Sequence, residues 1–83
     1  MAKGGQRLAI CVDNTDYPAS LELRKIYRVL SDAEADRDGD LRVIDESGED
    51  YLYPADYFVI VDFPPVAVRA LRRSFAREAQ EAR

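Results

Sequence analysis

The chain has 83 residues, of which 34% are charged and 10% aromatic, and its net charge is −4. That length is enough for one small domain, and the aromatic content excludes wholesale disorder. Because residues 1–65 carry a charge of −7 while residues 66–83 carry +3, nucleic acid is not expected to bind the body of the protein.

The first 65 residues predict a series of short strands separated by turns. Residues 1–6 are expected to be a flexible lead, and they lack the apolar segment of a signal peptide. Apolar and alternating segments then predict strands, and clusters of turn-forming residues separate them. The predicted strands are Arg7–Val12, Ile26–Leu30, Leu41–Asp45, Asp50–Tyr53 and Phe58–Asp62.

The segments that connect the predicted strands have sequence patterns typical of a bend, a helical turn and a hairpin turn. A bend is expected near Arg24 and Lys25, ahead of the second strand. Ser31 and Glu34 have the spacing of a capping box, which predicts a helical turn that ends near Gly39. Gly48 supplies the positive φ of a hairpin turn.

A C-terminal helix is predicted within residues 63–83, where two prolines open the segment. One face carries a narrow apolar stripe that requires a partner, either the strands or a second copy of the chain. This helix interface comprises Val68, Leu71 and Phe75. The basic face, which is the only region suited to phosphate contacts, comprises Arg69, Arg72, Arg73 and Arg77.

The order of features over residues 7–62 resembles a Src-homology-3 domain. Ala9–Asp13 lies where that family has its first-strand motif, and Pro54–Tyr57 is similar to its proline–serine–asparagine–tyrosine turn. The resemblance implies a five-stranded small β-barrel, here followed by an α-helix. The segment that ends in Glu49–Pro54 also resembles small uncharacterised bacterial proteins, which implies a bacterial source and no particular function.

In that family the proline and tyrosine of the turn help to form a groove for proline-rich ligands. Only Pro54 and Tyr57 match it residue by residue, and the chain has no tryptophan to separate the proline pockets. We therefore expect a protein partner of another kind. The expected partner-binding surface consists of Tyr17, Tyr51, Tyr53, Pro54 and Tyr57.

Enzymatic activity, a cofactor and a metal are not expected. The chain has no histidine, and its single Cys11 lies in an apolar strand. The carboxylates Asp45 and Glu46 flank a turn and are expected to be solvated, without the raised pKa of a general acid. Residues 34–45 approximate a calcium loop, but its last ligand is Asp45 and a strand follows where a helix is required.

No apolar segment reaches the roughly 18 residues of a membrane span, so a cytoplasmic protein is expected. The free cysteine is also typical of a reducing compartment. Taken together, the sequence predicts a non-enzymatic protein-interaction module. Two alternatives remain open, a homo-oligomeric subunit assembled through the helix interface and a nucleic-acid-associated protein that uses the basic face.

Overall fold

The computed structural model describes residues 7–81, with side chains described for residues 7–78. The predicted flexible lead therefore lies outside the described residues. The elements follow one another as β1 (Arg7–Cys11), β2 (Ile26–Leu30), α1 (Ala33–Arg37), β3 (Asp40–Ile44), β4 (Asp50–Pro54), a 3₁₀ turn (Ala55–Tyr57), β5 (Phe58–Val61) and α2 (Pro65–Glu81).

The five strands form one antiparallel sheet in the order β4-β3-β2-β1-β5. Strands β1 to β4 connect neighbour to neighbour, and β5 returns to pair with the free side of β1. The prediction of five strands with a C-terminal helix is confirmed. Closure into a barrel is not confirmed, because the pairings of the described residues leave β4 and β5 as the two edges of the sheet.

Alternation along the strands puts one face of the sheet in the core. In β2, Tyr27 and Val29 are buried while their neighbours are half-buried, and the register sets Val29 opposite the buried Val43 of β3. Leu21 belongs to the loop between β1 and β2, yet it is fully buried with them. The core consists of Ala9, Cys11, Leu21, Tyr27, Val29, Leu41, Val43, Tyr53 and Phe58.

The bend before β2 is present as predicted and has an unusual backbone. Arg24 has a φ of 65°, which residues other than glycine seldom adopt. Two hydrogen bonds hold it, from the Arg24 amide to the Cys11 carbonyl at 2.7 Å and from the Cys11 amide to the Lys25 carbonyl at 2.9 Å. These bonds extend the β1–β2 ladder into the bend.

The helical turn α1 begins one residue later than the capping-box spacing predicts. Asp32, not Ser31, is the N-cap, and its carboxylate accepts a hydrogen bond from the Ala35 amide at 3.0 Å. Arg42 of β3 holds the same carboxylate at 2.7 Å. This tertiary ion pair favours Asp32 as the cap, and the positive φ of Gly39 follows the helix as expected.

Helix α2 lies against the outer face of β2. The Arg28 guanidinium is 4.7 Å from the centre of the Phe75 ring, and Lys25 Nζ is 3.9 Å from a Glu78 carboxylate oxygen. Val68, Leu71 and Phe75 are each half-buried. The apolar stripe is therefore partly covered by the protein's own sheet.

Candidate partner-binding surface

Three tyrosines from distant parts of the sequence meet at one end of the sheet. Tyr17 comes from the β1–β2 loop, Tyr53 from β4, and Tyr57 from the 3₁₀ turn. The Tyr17 ring centroid is 4.9 Å from that of Tyr53 at 87° and 6.1 Å from that of Tyr57 at 64°. These are edge-to-face contacts, the arrangement that aromatic rings prefer.

The loop that presents Tyr17 is fixed by its own hydrogen bonds. The Tyr17 amide donates to the Asn14 carbonyl at 2.9 Å, and the Leu21 amide donates to the Tyr17 carbonyl at 3.0 Å. The Asn14 side-chain amide donates to the Leu21 carbonyl at 2.8 Å. Because Leu21 is fully buried, the core anchors this network, and Tyr17 projects from a loop of defined shape.

The expected surface residues differ in exposure. Tyr17 is 39% exposed and Tyr51 is 51% exposed, while Pro54 and Tyr57 are half-buried. Tyr53 is only 4% exposed, so it supports the surface from below and offers a partner little contact area. We call Tyr17, Tyr51, Pro54 and Tyr57 the aromatic surface.

A shallow groove of about 360 Å³ joins the two most exposed tyrosines. Tyr17 borders one part of it, and Tyr51 with the exposed Leu52 borders another. Between them the groove is lined by Tyr53 and by the polar residues Ser20, Asp45 and Ser47. Ser20, Ser47 and Leu52 were not predicted from the sequence, because the β1–β2 loop meets the β3–β4 turn only in the folded protein, where the Glu46 amide donates to the Ser20 carbonyl at 3.0 Å.

Asp45 is buried at 7% exposure, so the prediction that it is solvated is wrong. Its carboxylate accepts hydrogen bonds from the Tyr53 hydroxyl at 2.5 Å, the Ser47 hydroxyl at 2.6 Å and the Ser47 amide at 2.9 Å. Burial, the largest single influence, raises the pKa of Asp45, but these hydrogen bonds together outweigh it, and the pKa lies below its usual value. The residue is a structural anion that holds the β3–β4 turn to the core.

Tyr53 is the buried side chain that donates a hydrogen bond to Asp45. Burial and the hydrogen bond to Asp45 raise the pKa of Tyr53 to about 12, so the hydroxyl keeps its proton at neutral pH. Tyr53 therefore remains a hydrogen-bond donor to Asp45 under physiological conditions. The groove lining is fixed by a charge-assisted bond.

The carboxylate of Glu46 is also bonded to other side chains of the protein. It accepts a hydrogen bond from the Tyr27 hydroxyl and lies 2.8 Å from Lys25 Nζ. Burial tends to raise the pKa of Glu46, but the bonds from Lys25 and Tyr27 prevail, and the pKa is lowered. Since the pKa values of Asp45 and Glu46 are both lowered, neither is suited to act as a general acid near neutral pH.

The four arginines of the predicted basic face are all exposed on α2. Among residues 7–78, no acidic side chain lies within ion-pair distance of them. A helical pair between Arg77 and Glu81 lies outside the described side chains. The residues of the basic face are Arg69, Arg72, Arg73 and Arg77.

The acidic segment 34–45 does not converge on a cation site. Part of it is helix α1 and part is strand β3, and Asp45 is engaged with Tyr53 and Ser47. Across the described residues, no three histidine, cysteine or acidic side chains are grouped so that they could hold a metal ion.

No helix within residues 7–81 is both long enough and apolar enough to cross a bilayer. Comparisons with protein-family models, with curated proteins and with solved structures give no match to this chain. Function is therefore inferred from the residues and their geometry.

Proposed function

We propose that the protein is a non-enzymatic interaction module that binds another protein through the aromatic surface. The observation that carries this proposal is the position of Tyr17, which is 39% exposed while its ring rests edge-on against the buried Tyr53. An exposed aromatic held by the core loses little conformational entropy on binding. This is the usual character of a residue that dominates a protein–protein interface.

The surroundings of Tyr17 favour a protein partner. The groove is shallow, and its walls are Tyr51 and Leu52, which are 51% and 46% exposed. A surface of tyrosine and leucine with a polar floor suits the mixed apolar and hydrogen-bonding contacts of such interfaces.

The carboxylates beside the surface tyrosines favour a partner with basic residues. Tyr57 donates a hydrogen bond to Asp16 at 3.3 Å, and the exposed Glu49 accepts one from Tyr51 at 3.3 Å. Carboxylates therefore lie beside two of the surface tyrosines. A partner segment with lysine or arginine would approach faster and in a preferred orientation.

We also infer that the sheet curls toward a Src-homology-3-like barrel. Two features support this inference, the return of β5 to β1 and the short turn between β4 and β5. Tyr53 on one edge strand and Phe58 on the other have ring centroids 6.3 Å apart, as expected if the two edges approach each other. The buried free thiol of Cys11 supports the further proposal of a reducing, cytoplasmic compartment.

The test is affinity capture with the wild-type chain and with Tyr17→Ala and Tyr57→Ala variants. A partner of the aromatic surface should be retained by the wild type and lost from both variants. Leu23→Ala is the matched control, because Leu23 is 41% exposed in the same loop and does not line the groove. A protein that is captured equally by all four chains, or no specific protein at all, would count against the proposal.

The homo-oligomeric and nucleic-acid-associated alternatives remain predictions. For a homo-oligomer through α2, the apolar stripe is already half-buried, which leaves less area for a second copy. Nucleic-acid association through the basic face predicts an affinity that falls steeply with salt and weakens when Arg72 and Arg73 become Glu.

A further inference from the structure

A second groove lies between α2 and the start of β2, away from the aromatic surface. Its volume is about 470 Å³. That size lies within the range of roughly 300–1,000 Å³ that is typical of small-molecule sites. The lining residues are Arg24, Lys25, Ile26, Leu71, Ser74, Phe75, Arg77 and Glu78.

The lining has an apolar part and a cationic part. Ile26, Leu71 and Phe75 are half-buried, so they offer apolar area without being closed off from solvent. Arg24 and Arg77 are both exposed, and neither is within ion-pair distance of an acidic side chain among residues 7–78.

The remaining charges at the groove are those of Lys25 and of two carboxylates beside it, and they sum to −1 against the two arginines. Lys25 lies 2.8 Å from Glu46 and 3.9 Å from Glu78, and Glu78 is the one acidic residue of the lining among residues 7–78. The groove therefore retains two guanidinium groups without a described partner, in a protein whose net charge is −4. The Ser74 hydroxyl provides a further donor.

The fold fixes the backbone position of Arg24, one of these two arginines. Arg24 has a φ of 65°, and its amide donates to the Cys11 carbonyl at 2.7 Å. A left-handed residue other than glycine is kept only where the surrounding structure determines it, and such residues are concentrated at ligand sites. The bend thus holds the Arg24 backbone at a set position beside α2.

We infer that this groove binds a small organic anion, in which a carboxylate or phosphate is attached to an apolar group. The guanidinium groups of Arg24 and Arg77 bind the anion, because their planar N–H donors match carboxylate and phosphate oxygens. Ile26, Leu71 and Phe75 pack against the apolar group. A neighbouring groove of about 180 Å³, which shares Phe75 with this one, does not suit an anion, because its described lining has three acidic residues, Asp45, Glu46 and Glu78, and two cations, Lys25 and Arg28.

The test is an NMR titration of the ¹⁵N-labelled full chain with phenyl phosphate. Amide shifts should be centred on Arg24, Ile26 and Ser74. Inorganic phosphate has only the anionic group of phenyl phosphate, and benzyl alcohol has only its apolar ring. Each should bind at least about tenfold more weakly than phenyl phosphate, a difference of about 1.4 kcal/mol.

Two charge reversals should weaken phenyl phosphate binding by about tenfold each, Arg24→Glu and Arg77→Glu. Arg73→Glu is the matched control, since Arg73 is exposed on the same helix and does not line the groove. Equal weakening by all three substitutions would show a general attraction to positive charge and would overturn the inference. Equal affinity for phenyl phosphate and inorganic phosphate, or the absence of any localised shift, would also overturn it.

Discussion

The hydrogen bond between Tyr53 and Asp45 allows a quantitative test of the structure. Tyr53→Phe removes only the hydroxyl that donates to the buried carboxylate at 2.5 Å. A hydrogen bond to a charged group contributes about 1.5 to 3 kcal/mol. Because Ser47 still donates two bonds to Asp45, we expect the lower part of this range, about 1.5 to 2 kcal/mol.

For a chain of this size, that loss corresponds to a decrease in Tm of roughly 6 to 16 °C. Urea denaturation at pH 7 would measure the free energy of unfolding directly. Tyr51→Phe is the matched control, because Tyr51 is on the same strand and its exposed hydroxyl bonds Glu49 at a longer 3.3 Å. We expect no measurable change from that substitution.

The effect of Tyr53→Phe should depend on pH. The pKa of Asp45 is lower in the folded protein than in the unfolded chain, so its contribution to stability is present above pH ~4 and is lost as the pH falls through the folded value. Without the Tyr53 hydroxyl, less of this contribution remains to be lost. The difference between wild type and variant should therefore shrink below pH ~4.

Two results would refute this reasoning. One is a destabilisation below about 0.5 kcal/mol at pH 7, the range of an ordinary surface substitution. The other is a difference in stability that stays constant as the pH falls from 7 through the lowered folded-state pKa of Asp45. A double-mutant cycle with Asp45→Asn would then show whether the two side chains are coupled at all.

Three further predictions concern the loop, the turn and the helix. Leu21→Ala should destabilise the protein by about 2 to 5 kcal/mol in urea denaturation, because this loop residue is fully buried; an effect no larger than that of Leu23→Ala would show that the loop does not belong to the core. Gly48→Ala should cost about 1 to 2 kcal/mol, since φ is 87° and nothing lies within 4 Å of an added Cβ; a much larger loss in thermal unfolding would indicate a hidden clash. Light scattering should give a monomer for the full chain and for a truncation after Asp62, because the sheet half-covers the apolar stripe of α2; a dimer that Phe75→Asp dissociates would favour the oligomeric alternative instead.

The strands could be predicted from the sequence because the patterns that indicate them involve only neighbouring residues. Period-two alternation identifies β2 with its observed limits, Ile26 to Leu30, and glycine at position 48 marks the turn before β4. The helix α2 follows from two prolines and an apolar stripe of period 3.6. These patterns depend on neighbouring residues and on the geometry of a single strand or helix.

Asp45 and Asp32 show where local reasoning was insufficient. Asp45 lies in a turn of polar residues, which is typical of a solvated carboxylate, yet Tyr53 and Ser47 bury and bind it. Asp32 replaces Ser31 as the cap of α1 because Arg42 from the next strand holds its carboxylate. In both residues, a partner that the sheet brings close decides the role of the side chain.

By itself, the sequence determined the five strands, the C-terminal helix and the set of tyrosines from which the proposed surface is drawn, since alternation and turn chemistry act over a few residues. Only the tertiary structure decided which of those tyrosines form the surface. Strand register and the return of β5 to β1 place Tyr17 beside Tyr57, while the same packing turns Tyr53 inward to Asp45. Exposure depends on which residues distant in sequence cover a side chain, and that is fixed only when the sheet is assembled.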